Sequence, residues 1–247
     1  MAGTAGRAGP HLSVVLPAYN EEARLPETLA AWVSYLSRQP YGWELVVADD
    51  GSRDGTAAAA EAFAATTAGV RVVRLPHNRG KGGAVRAGVR AAAGDVVLFC
   101  DADLGIPAEF AEAALRTIDA GADVATGERS LRRYASEERS VTRLLAGAAV
   151  QISRRALGLT YVRDSQCGFK AFRREAAGEI FRRAVIDSFA FDIEVLFLAR
   201  RLGYRVRPFP VQMSFRAGST FDVRKHLPRF LKDILRVRWN SLRGVYD

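Results

Sequence analysis

Apolar runs that end in polar turns and are followed by helical segments recur through the first hundred residues of this chain. Four runs of this kind lie at residues 11–18, 43–48, 70–75 and 95–100. Their apolar and β-branched content predicts buried strands. The stretches between them show helical apolar spacing or are rich in alanine, at residues 22–37, 54–68 and 84–93. This alternation predicts an α/β fold with a mostly parallel sheet and right-handed crossovers.

The rest of the chain completes the predicted domain with more varied segments. We predict a short strand at 123–126, a charged loop at 131–143, helices at 144–157 and 189–202, and an extended segment at 204–215. A chain of 247 residues, 49% of them hydrophobic, suits one α/β domain with a substantial core. We therefore predict a flexible N-terminus at 1–10, one domain at 11–222, and a basic amphipathic segment at 223–247.

Three polar loops follow predicted strands, at residues 19–21, 49–54 and 101–103. In open parallel sheets, ligands bind at the carboxyl ends of the strands. The sequence therefore predicts a binding site where these loops meet.

Asp101 and Asp103 directly follow the fourth predicted strand. Paired carboxylates suit Mg²⁺ or Mn²⁺, which take their remaining ligands from substrate phosphates and water. The alternative is a solvated turn that happens to contain two aspartates. The register with two other polar loops favours the metal site.

The glycine-rich loop at residues 77–83 does not match the common phosphate-binding motifs. Gly82 and Gly83 follow Lys81 where a P-loop requires a hydroxyl residue, and no dinucleotide-binding glycine motif follows the first strand. Lys81 either reaches a phosphate from a helix N-terminus or is a solvated surface lysine. Both interpretations stay open from the sequence.

Cysteine usage and apolar runs bear on the compartment. Cys100 and Cys167 are too few for a disulfide framework, and Cys100 lies in an apolar run, so reduced thiols in a cytosolic setting are expected. No apolar run reaches the length of a signal peptide or of a membrane span. If the protein works at a membrane, we expect it to lie on the surface.

Charge is unevenly distributed along the chain. The net charge is −5 over residues 1–128 and +14 over residues 129–247, which gives +9 in total. A cationic surface of this strength attracts phosphate-rich partners. Because zinc-ligand spacing, helix-turn-helix signals and RNA-binding aromatic motifs are lacking, we do not expect nucleic acid to be the partner. Anionic lipid and phosphorylated substrates are favoured.

Six motifs together resemble those of a known family. They are VVLPAYNEE at 14–22, VVADDGSRDGT at 46–56, GKGGAVR at 80–86, DAD at 101–103, DSQCGFK at 164–170 and FDIE at 191–194. The chain resembles the inverting glycosyltransferases of the GT-A fold, and among them the polyprenyl-phosphate sugar synthases, especially the dolichyl-phosphate β-glucosyltransferases. The likeness extends from about His11 to the C-terminus. It implies a single Rossmann-like, nucleotide-sugar-binding domain with a mixed, mostly parallel sheet.

The resemblance implies roles in donor binding for several residues. Pro17, Tyr19 and Glu21 would shape the nucleoside pocket. Asp50, with Asp49 as second choice, would read the base, since a carboxylate accepts hydrogen bonds from a base N–H or a ribose hydroxyl. The alternatives are core packing for Tyr19 and turn capping for Asp49.

The resemblance also assigns the phosphate-binding groups. Arg129 would contact the donor diphosphate, and Lys170 and Arg216 would lie near the two phosphates. Asp101 and Lys81 complete our set of candidate nucleotide-binding residues. Related lipid-phosphate enzymes commonly have a lysine at the position of Thr220, which puts one acceptor contact in doubt. Arg224 or Lys225 could substitute for it.

Asp164 and Asp192 are the candidates for a catalytic carboxylate. A sugar hydroxyl must be deprotonated as it attacks, whereas a phosphate acceptor is already largely ionised near neutral pH. With a phosphate acceptor the site needs cations more than a base, and Asp164 would then orient Lys170 or an arginine.

The function implied is transfer of a hexose, with UDP-glucose as favoured donor, to a polyprenyl or dolichyl phosphate at the cytoplasmic membrane face. The alternatives are a glycosyltransferase with a soluble phosphorylated acceptor and a GDP-mannose-dependent polyprenyl-phosphate mannosyltransferase. More distant alternatives are a nucleotidyltransferase and a lipid-surface binding module. The oligomeric state does not follow from the sequence.

The last segment mixes basic and large apolar residues. Seven cations occur among residues 223–243, namely Arg224, Lys225, Arg229, Lys232, Arg236, Arg238 and Arg243. We expect this segment to be helical, with Pro228 in about its first turn, and to dock on an anionic membrane surface. The alternative is that its apolar residues pack on the catalytic domain while the arginines face water.

Overall fold

The computed structural model describes residues 9–129, 151, 155, 157–159, 162–213 and 223–247, with only the backbone of 223–229. The strands are β1 (Leu12–Ala18), β2 (Trp43–Asp49), β3 (Val70–Arg74), β4 (Val96–Cys100), β5 (Val124–Arg129), β6 (Phe169–Arg173) and β7 (Val206–Val211). The helices within the described residues are α1 (Leu25–Leu36), α2 (Thr56–Thr66), α3 (Lys81–Ala91), α4 (Phe110–Asp119), α5 (Arg174–Arg183), α6 (Phe191–Arg201) and α7 (Val223–Leu242).

The seven strands form one sheet in the order β3-β2-β1-β4-β6-β5-β7. Strand β6 is antiparallel to both of its neighbours, and the remaining pairings are parallel. The predicted α/β architecture with a mixed, mostly parallel sheet is confirmed. Because β6 is antiparallel to its neighbours, its first residues lie at the sheet edge where β1, β2, β4 and β5 end.

Helices cover both faces of the sheet, as the alternating side chains of buried strands require. On one face, Val15 and Phe99 join a cluster that includes buried residues of α3, α5, α6 and α7. On the other, Leu16 and Leu98 pack with buried residues of α1 and α4, among them the fully buried Trp32. This core fixes the strand ends on which the candidate site is built.

The structure adds two helices that we did not predict and shifts the start of two others. Helices α4 and α5 lie outside the predicted elements, although the buried positions of α5 (Ala176, Ala177, Ile180, Phe181) do have helical spacing. Helix α3 begins at Lys81 rather than at residue 84. Helix α7 begins at Val223, so Pro228 lies in its second turn and the expectation of the first turn is wrong.

Both cysteines are free and buried, in agreement with the expectation of reduced thiols. Within the described part of the chain, no helix combines the length and the apolar character needed to cross a bilayer. The predicted loop at 131–143 and helix at 144–157 lie largely outside the described residues.

Candidate active site

The loops after β1 and β2 are tied together by hydrogen bonds, as expected for neighbouring parallel strands whose ends are in register at Ala18 and Asp49. The Asn20 backbone N–H donates to Ser52 Oγ at 3.0 Å, and the Arg53 N–H donates to Asn20 Oδ1 at 3.0 Å. Asn20 has a φ of +54°, a conformation that asparagine tolerates better than most residues. Strand β4 pairs with β1 on its other side, so the three predicted loops meet at one sheet edge.

An open cleft of about 320 Å³ lies beyond the ends of β2 and β3, lined by Gly51, Ser52, Arg74, Leu75 and Pro76. Asp49 is fully buried nearby. Its Oδ1 accepts the Ser52 N–H at 3.2 Å, and its Oδ2 lies 3.4 Å from Arg74 Nε without the geometry of a hydrogen bond. Asp49 therefore does cap the turn, and its buried Oδ2 is ion-paired with Arg74 without making a hydrogen bond.

Tyr19 and Glu21 flank the end of β1. The Tyr19 side chain is 38% exposed, so the alternative of core packing is wrong for this residue. The Glu21 carboxylate binds the Arg24 guanidinium through two hydrogen bonds, of 2.7 and 2.9 Å, and its backbone N–H donates to Thr56 Oγ1. Pro17 is half-buried in β1. The exposed ring is thus held on a loop that is anchored to the second strand end.

Asp50 joins the second strand end to the glycine-rich loop. Its two carboxylate oxygens accept the backbone N–H groups of Arg79 and Gly80, each at 2.8 Å. Burial raises the pKa of Asp50 above its usual value, although these two hydrogen bonds oppose that effect. Asp50 therefore fixes the turn that precedes Lys81.

Lys81 contacts the predicted metal motif directly. It is the first residue of α3, its side chain is 16% exposed, and Nζ forms an ion pair with Asp101 Oδ1. Burial alone would lower the pKa of Lys81, but the charges of Asp101 and Asp192 outweigh burial and raise it. The interpretation of Lys81 as a solvated surface lysine is wrong.

The motif at residues 101–103 projects two carboxylates from the end of β4. Asp101 keeps 43% of its side chain exposed, and Asp103 Oδ1 accepts the Gly105 N–H at 2.9 Å. Thr28 Oγ1 donates to the Ala102 carbonyl at 2.7 Å, which anchors the turn to α1. No cluster of three or more acidic, histidine or cysteine ligands occurs among the described residues. This donor set fits Mg²⁺ or Mn²⁺, which bind through one or two carboxylates together with substrate phosphates and water.

Arg129, at the end of β5, forms a two-point ion pair with Asp164. Nε donates to Oδ2 at 2.6 Å and Nη2 to Oδ1 at 2.8 Å, and the Arg129 backbone N–H also donates to Oδ2. Burial alone would raise the pKa of Asp164, but the hydrogen bonds and charge of Arg129 hold it below its usual value. The predicted contact between Asp164 and an arginine is confirmed.

Lys170 and Asp192 form a buried ion pair beneath the strand ends. Lys170 Nζ is fully buried and donates to Asp192 Oδ1 at 2.5 Å and to the Cys167 carbonyl at 2.6 Å. Burial raises the pKa of Asp192, with the charges of Lys170 and Lys81 acting in the opposite direction. Gly168 lies directly against Asp101, since a Cβ atom there would stand 2.1 Å from its carboxylate. Residues 164–170 therefore reach the same sheet edge as the metal motif.

Two predicted positions could not be placed. Arg216 and Thr220 lie outside the described residues, as do the side chains of Arg224 and Lys225.

Asp187 was not predicted from the sequence, although it accepts hydrogen bonds from Arg79 and Arg86. No local pattern marks it, because its partners are about a hundred residues away in the chain.

Comparisons with known proteins agree with this geometry. The sequence model of glycosyl transferase family 2 matches residues 13–181. The dolichyl-phosphate beta-glucosyltransferase of Dictyostelium discoideum is 32% identical over 96% of this chain and 76% of its own length. The dolichyl-phosphate beta-glucosyltransferase of Homo sapiens is 33% identical over 95% of this chain and 77% of its own length.

A solved structure shows the same fold with ligands. Glucosyl-3-phosphoglycerate synthase from Mycobacterium tuberculosis, in complex with Mn²⁺, UDP and glucosyl-3-phosphoglycerate, superposes with a TM-score of 0.67 at 25% identity. The alignment covers 97% of this chain and 82% of the synthase. The fold, the strand-end motifs and these relatives lead to one assignment: the chain belongs to glycosyl transferase family 2.

Proposed function

We propose that this glycosyltransferase moves glucose from UDP-glucose to a polyprenyl or dolichyl phosphate, with inversion at the anomeric carbon. The observation that carries the proposal is the contact of Lys81 with Asp101, which brings a half-buried cation to the metal motif. A nucleoside diphosphate needs this combination of positive charge and metal-binding oxygens. The relatives named dolichyl-phosphate beta-glucosyltransferase supply the sugar and the acceptor class.

In this proposal the base occupies the cleft beyond β2 and β3. Asp49 Oδ2 makes no hydrogen bond and can accept one from a base N–H, but it is buried and ion-paired with Arg74, so this contact requires the side chains around it to move. Asp50, with both oxygens bound to backbone amides, acts by holding the turn before Lys81. The exposed Tyr19 ring offers a stacking surface for the nucleoside, and Pro17 and Glu21 support its loop. Base recognition thus shifts from the favoured Asp50 to Asp49.

The diphosphate lies over the metal motif. Asp101 and Asp103 would hold Mg²⁺ or Mn²⁺, which when bound neutralises charge on the diphosphate. Lys81 stands beside Asp101, and Arg129 ends the parallel strand β5 at the same edge. These two side chains stabilise the charge that develops on the leaving group, because they are fixed before the reaction begins.

The acceptor phosphate attacks the anomeric carbon as the bond to the departing UDP breaks. An ionised phosphate oxygen needs no general base, and a carboxylate paired with Arg129 is a poor one, so Asp164 acts by orienting that guanidinium. Asp192 likewise positions Lys170 beneath the site, and the buried Lys170 contributes charge without contacting the phosphates. Arg216 remains our candidate for an acceptor contact.

The acceptor is a lipid, and helix α7 offers a surface for reaching it. The residues of α7 that face the domain, Phe230, Ile234 and Val237, are buried, so the packing alternative holds for this inner face. A second apolar stripe faces outward: Leu231, Leu235, Trp239 and Leu242 are exposed, together with the cations Lys232, Arg236, Arg238 and Arg243. We assign this outer stripe to an anionic membrane surface on the cytoplasmic side.

One observation favours a second acceptor class. The similar structure from Mycobacterium tuberculosis contains glucosyl-3-phosphoglycerate, a glucosylated soluble phosphorylated acid. Such an acceptor would not require the exposed apolar stripe on α7, and the relatives with the higher identity are named for dolichyl phosphate. The polyprenyl phosphate therefore stays our first candidate.

An acceptor panel tests the proposal. Purified protein with Mn²⁺ is given UDP-glucose or GDP-mannose, each with a short-chain polyprenyl phosphate, 3-phosphoglycerate or no acceptor. We expect glucosyl transfer to the polyprenyl phosphate from UDP-glucose. Transfer to 3-phosphoglycerate alone would establish the second class, and mannosyl transfer alone would overturn the donor. Mass spectrometry of the products, with the Asp103→Asn variant as a blank, identifies what was made.

A further inference from the structure

Residues 184–190 connect α5 to α6 and contact both the donor loop and the C-terminal helix; we call them the bridging segment. On the donor side, the Gly82 N–H donates to the Asp187 carbonyl at 2.9 Å, and Asp187 also binds the guanidinium groups of Arg79 and Arg86. Gly82 fits tightly, since a Cβ atom there would lie 2.5 Å from the Ile186 carbonyl oxygen. The segment is therefore packed against the turn that presents Lys81.

The opposite side of the bridging segment is held by the end of the chain. Ser188 Oγ donates to Asp233 Oδ2 of α7 at 2.5 Å. The Val185 and Ile186 N–H groups donate to the fully buried Glu194 carboxylate, which also accepts the Tyr246 hydroxyl at 2.7 Å. The Ser188 hydroxyl thus links α7 to the segment directly, and the Tyr246 hydroxyl links the end of the chain to it through Glu194.

The contacts form a continuous path from α7 to the donor site. Asp233 binds the bridging segment directly, and Tyr246 binds it through Glu194. The segment in turn binds Arg79 and Gly82. Lys81 lies between these two residues in the chain, and its ammonium group contacts Asp101. Asp50 fixes the same turn from the other side. Asp50 thus binds the turn from the side of the sheet, and the bridging segment binds it from the side of the C-terminal helix.

We propose that Ser188, Asp233 and Tyr246 are positioning residues for the donor, which set its affinity by holding the Arg79–Lys81 turn in place. This inference rests on the proposed function, in which Lys81 contacts the donor diphosphate. It goes beyond that function because it makes the C-terminal helix part of the donor site's framework, in addition to its outer face. None of the three residues contacts the donor in this proposal.

The test uses substitutions that remove only a hydroxyl group. Ser188→Ala and Tyr246→Phe each remove two hydrogen bonds, those of Ser188 with Asp233 and the Ala190 N–H and those of Tyr246 with Glu194 and Asn240. Each variant should weaken UDP binding in the presence of Mn²⁺ by about fivefold, because ordering the loosened turn would then oppose binding by about 1 kcal/mol. The turnover number at saturating UDP-glucose should fall by a similar factor or less, because Lys81 on the loosened turn also acts on the leaving group. Ser188→Thr, which keeps the hydroxyl, should restore the parent affinity. Calorimetric titration and steady-state kinetics give both quantities.

A matched control separates positioning from general loosening of the helix. Ser241 of α7 accepts a hydrogen bond from Arg201 at 3.0 Å and does not contact the bridging segment. Ser241→Ala should leave UDP affinity unchanged. Equal weakening in this control, or UDP affinity within about twofold of the parent in both hydroxyl variants, would overturn the proposal.

Hydrogen exchange of the Gly82 amide tests the positioning role independently of the proposed function. The Gly82 amide should exchange faster in Ser188→Ala and Tyr246→Phe than in the parent or Ser241→Ala, with no nucleotide present. Failure of the parent to bind UDP would count against the proposed function, and exchange at Gly82 would then decide the positioning role. Unchanged Gly82 exchange in both hydroxyl variants would refute it.

Discussion

Arg129 and Asp164 face each other in a two-point ion pair, with distances of 2.6 and 2.8 Å, across two segments that are 35 residues apart in sequence. A bidentate pair of this kind fixes the plane of the guanidinium as well as its position. The carboxylate is also kept ionised, since its pKa lies below the usual value. Asp164 therefore has the properties of an orienting group.

Asp164→Asn should retain measurable turnover, with little change in the pH dependence near neutrality. The asparagine can still accept one hydrogen bond from Arg129, and a phosphate acceptor needs no base. Arg129→Gln should cost more, on the order of a hundredfold in kcat, because a cation is lost from the leaving group. Steady-state rates between pH 6 and 8 measure both. Complete inactivity of a folded, UDP-binding Asp164→Asn variant would instead support an essential base.

Asp103→Asn should reduce transfer at least a hundredfold, on the order expected for loss of a group that stabilises the leaving charge. Its side chain makes only a local hydrogen bond to Gly105, so the melting temperature should change little. Excess chelator should abolish activity in the parent, and added Mn²⁺ should restore it. Full activity in chelator would contradict the metal assignment.

Asp49→Asn and Asp50→Asn should have different effects, the first on UDP binding alone and the second also on the stability of the fold. Asp49→Asn should weaken UDP binding with little change in the free energy of unfolding, because the amide oxygen can still accept the Ser52 N–H and the ion pair that is lost is with the exposed Arg74. Asp50→Asn should also lower stability by about 1–3 kcal/mol, since an amide cannot accept from both the Arg79 and Gly80 N–H groups as two carboxylate oxygens do. Calorimetric titration with UDP and urea unfolding separate the two effects. Unchanged UDP affinity in both variants would contradict the placement of the base.

Glu44→Gln tests, through the pH dependence of stability, the buried polar contacts where β1 and β2 begin, at the sheet edge opposite the site. Burial alone would raise the pKa of Glu44, but hydrogen bonds from Ser13, the Ala93 N–H and Arg71 hold it below its usual value. A lowered carboxyl pKa stabilises the fold above the unfolded-state pKa of about 4.3, and this contribution is lost as the pH falls through the folded-state pKa. The variant should be less stable by about 2 kcal/mol at pH 7.

That difference should shrink towards zero on acidification, which urea unfolding at pH 7 and in the acid range will measure. Glu112→Gln removes an equal charge from an ion pair with Arg116 in which both side chains are about two-thirds exposed. Because exposed pairs contribute little, this control should be as stable as the parent at both pH values. A pH-independent loss in Glu44→Gln would show that packing, and not charge, is responsible.

Binding to anionic vesicles should depend on the outer face of α7. Changing Lys232, Arg236 and Arg238 to glutamine should reduce co-sedimentation with phosphatidylserine vesicles, because each cation contributes about 1 kcal/mol at such a surface. A control with Arg116, Arg182 and Arg205 changed to glutamine removes the same charge from other exposed positions. Binding should also fall with salt. Equal recovery of both triple variants in the pellet would exclude a docking role for this face.

The sequence was sufficient for features that depend on neighbouring residues. Buried strands such as Leu12–Ala18, and the polar turns that follow them, show in local apolar patterns, so the loops of the site could be predicted. The contacts of Lys81 with Asp101 and of Arg129 with Asp164 depend on which strands are adjacent. The order of strands is a property of the whole sheet, and no window of the sequence contains it.

The two faces of α7 show the same limit. Apolar residues at 230, 231, 234, 235, 237 and 239 predict an amphipathic helix in either environment, and periodicity alone does not say which of them meet the core. The structure divides them between an inner and an outer stripe, because the helix packs against α6. The packing alternative is therefore confirmed for the inner stripe, and docking of the outer stripe on a membrane stays a prediction.

The reversed strand β6 has a consequence for how this enzyme can change. The groups that we assign to the donor lie within the first 129 residues, at or after strand ends. Residues 164–168 instead come before a strand, and they reach the same edge only because β6 is antiparallel to its neighbours. One continuous stretch of chain, entering between β5 and β6, is therefore fastened at its two ends by Arg129 and Asp164. The described part of this stretch belongs to the core, because Leu157, Leu159 and Val162 are buried in the cluster that contains Val15 and Phe99. Changes to the stretch that suit another acceptor must therefore keep these three positions apolar.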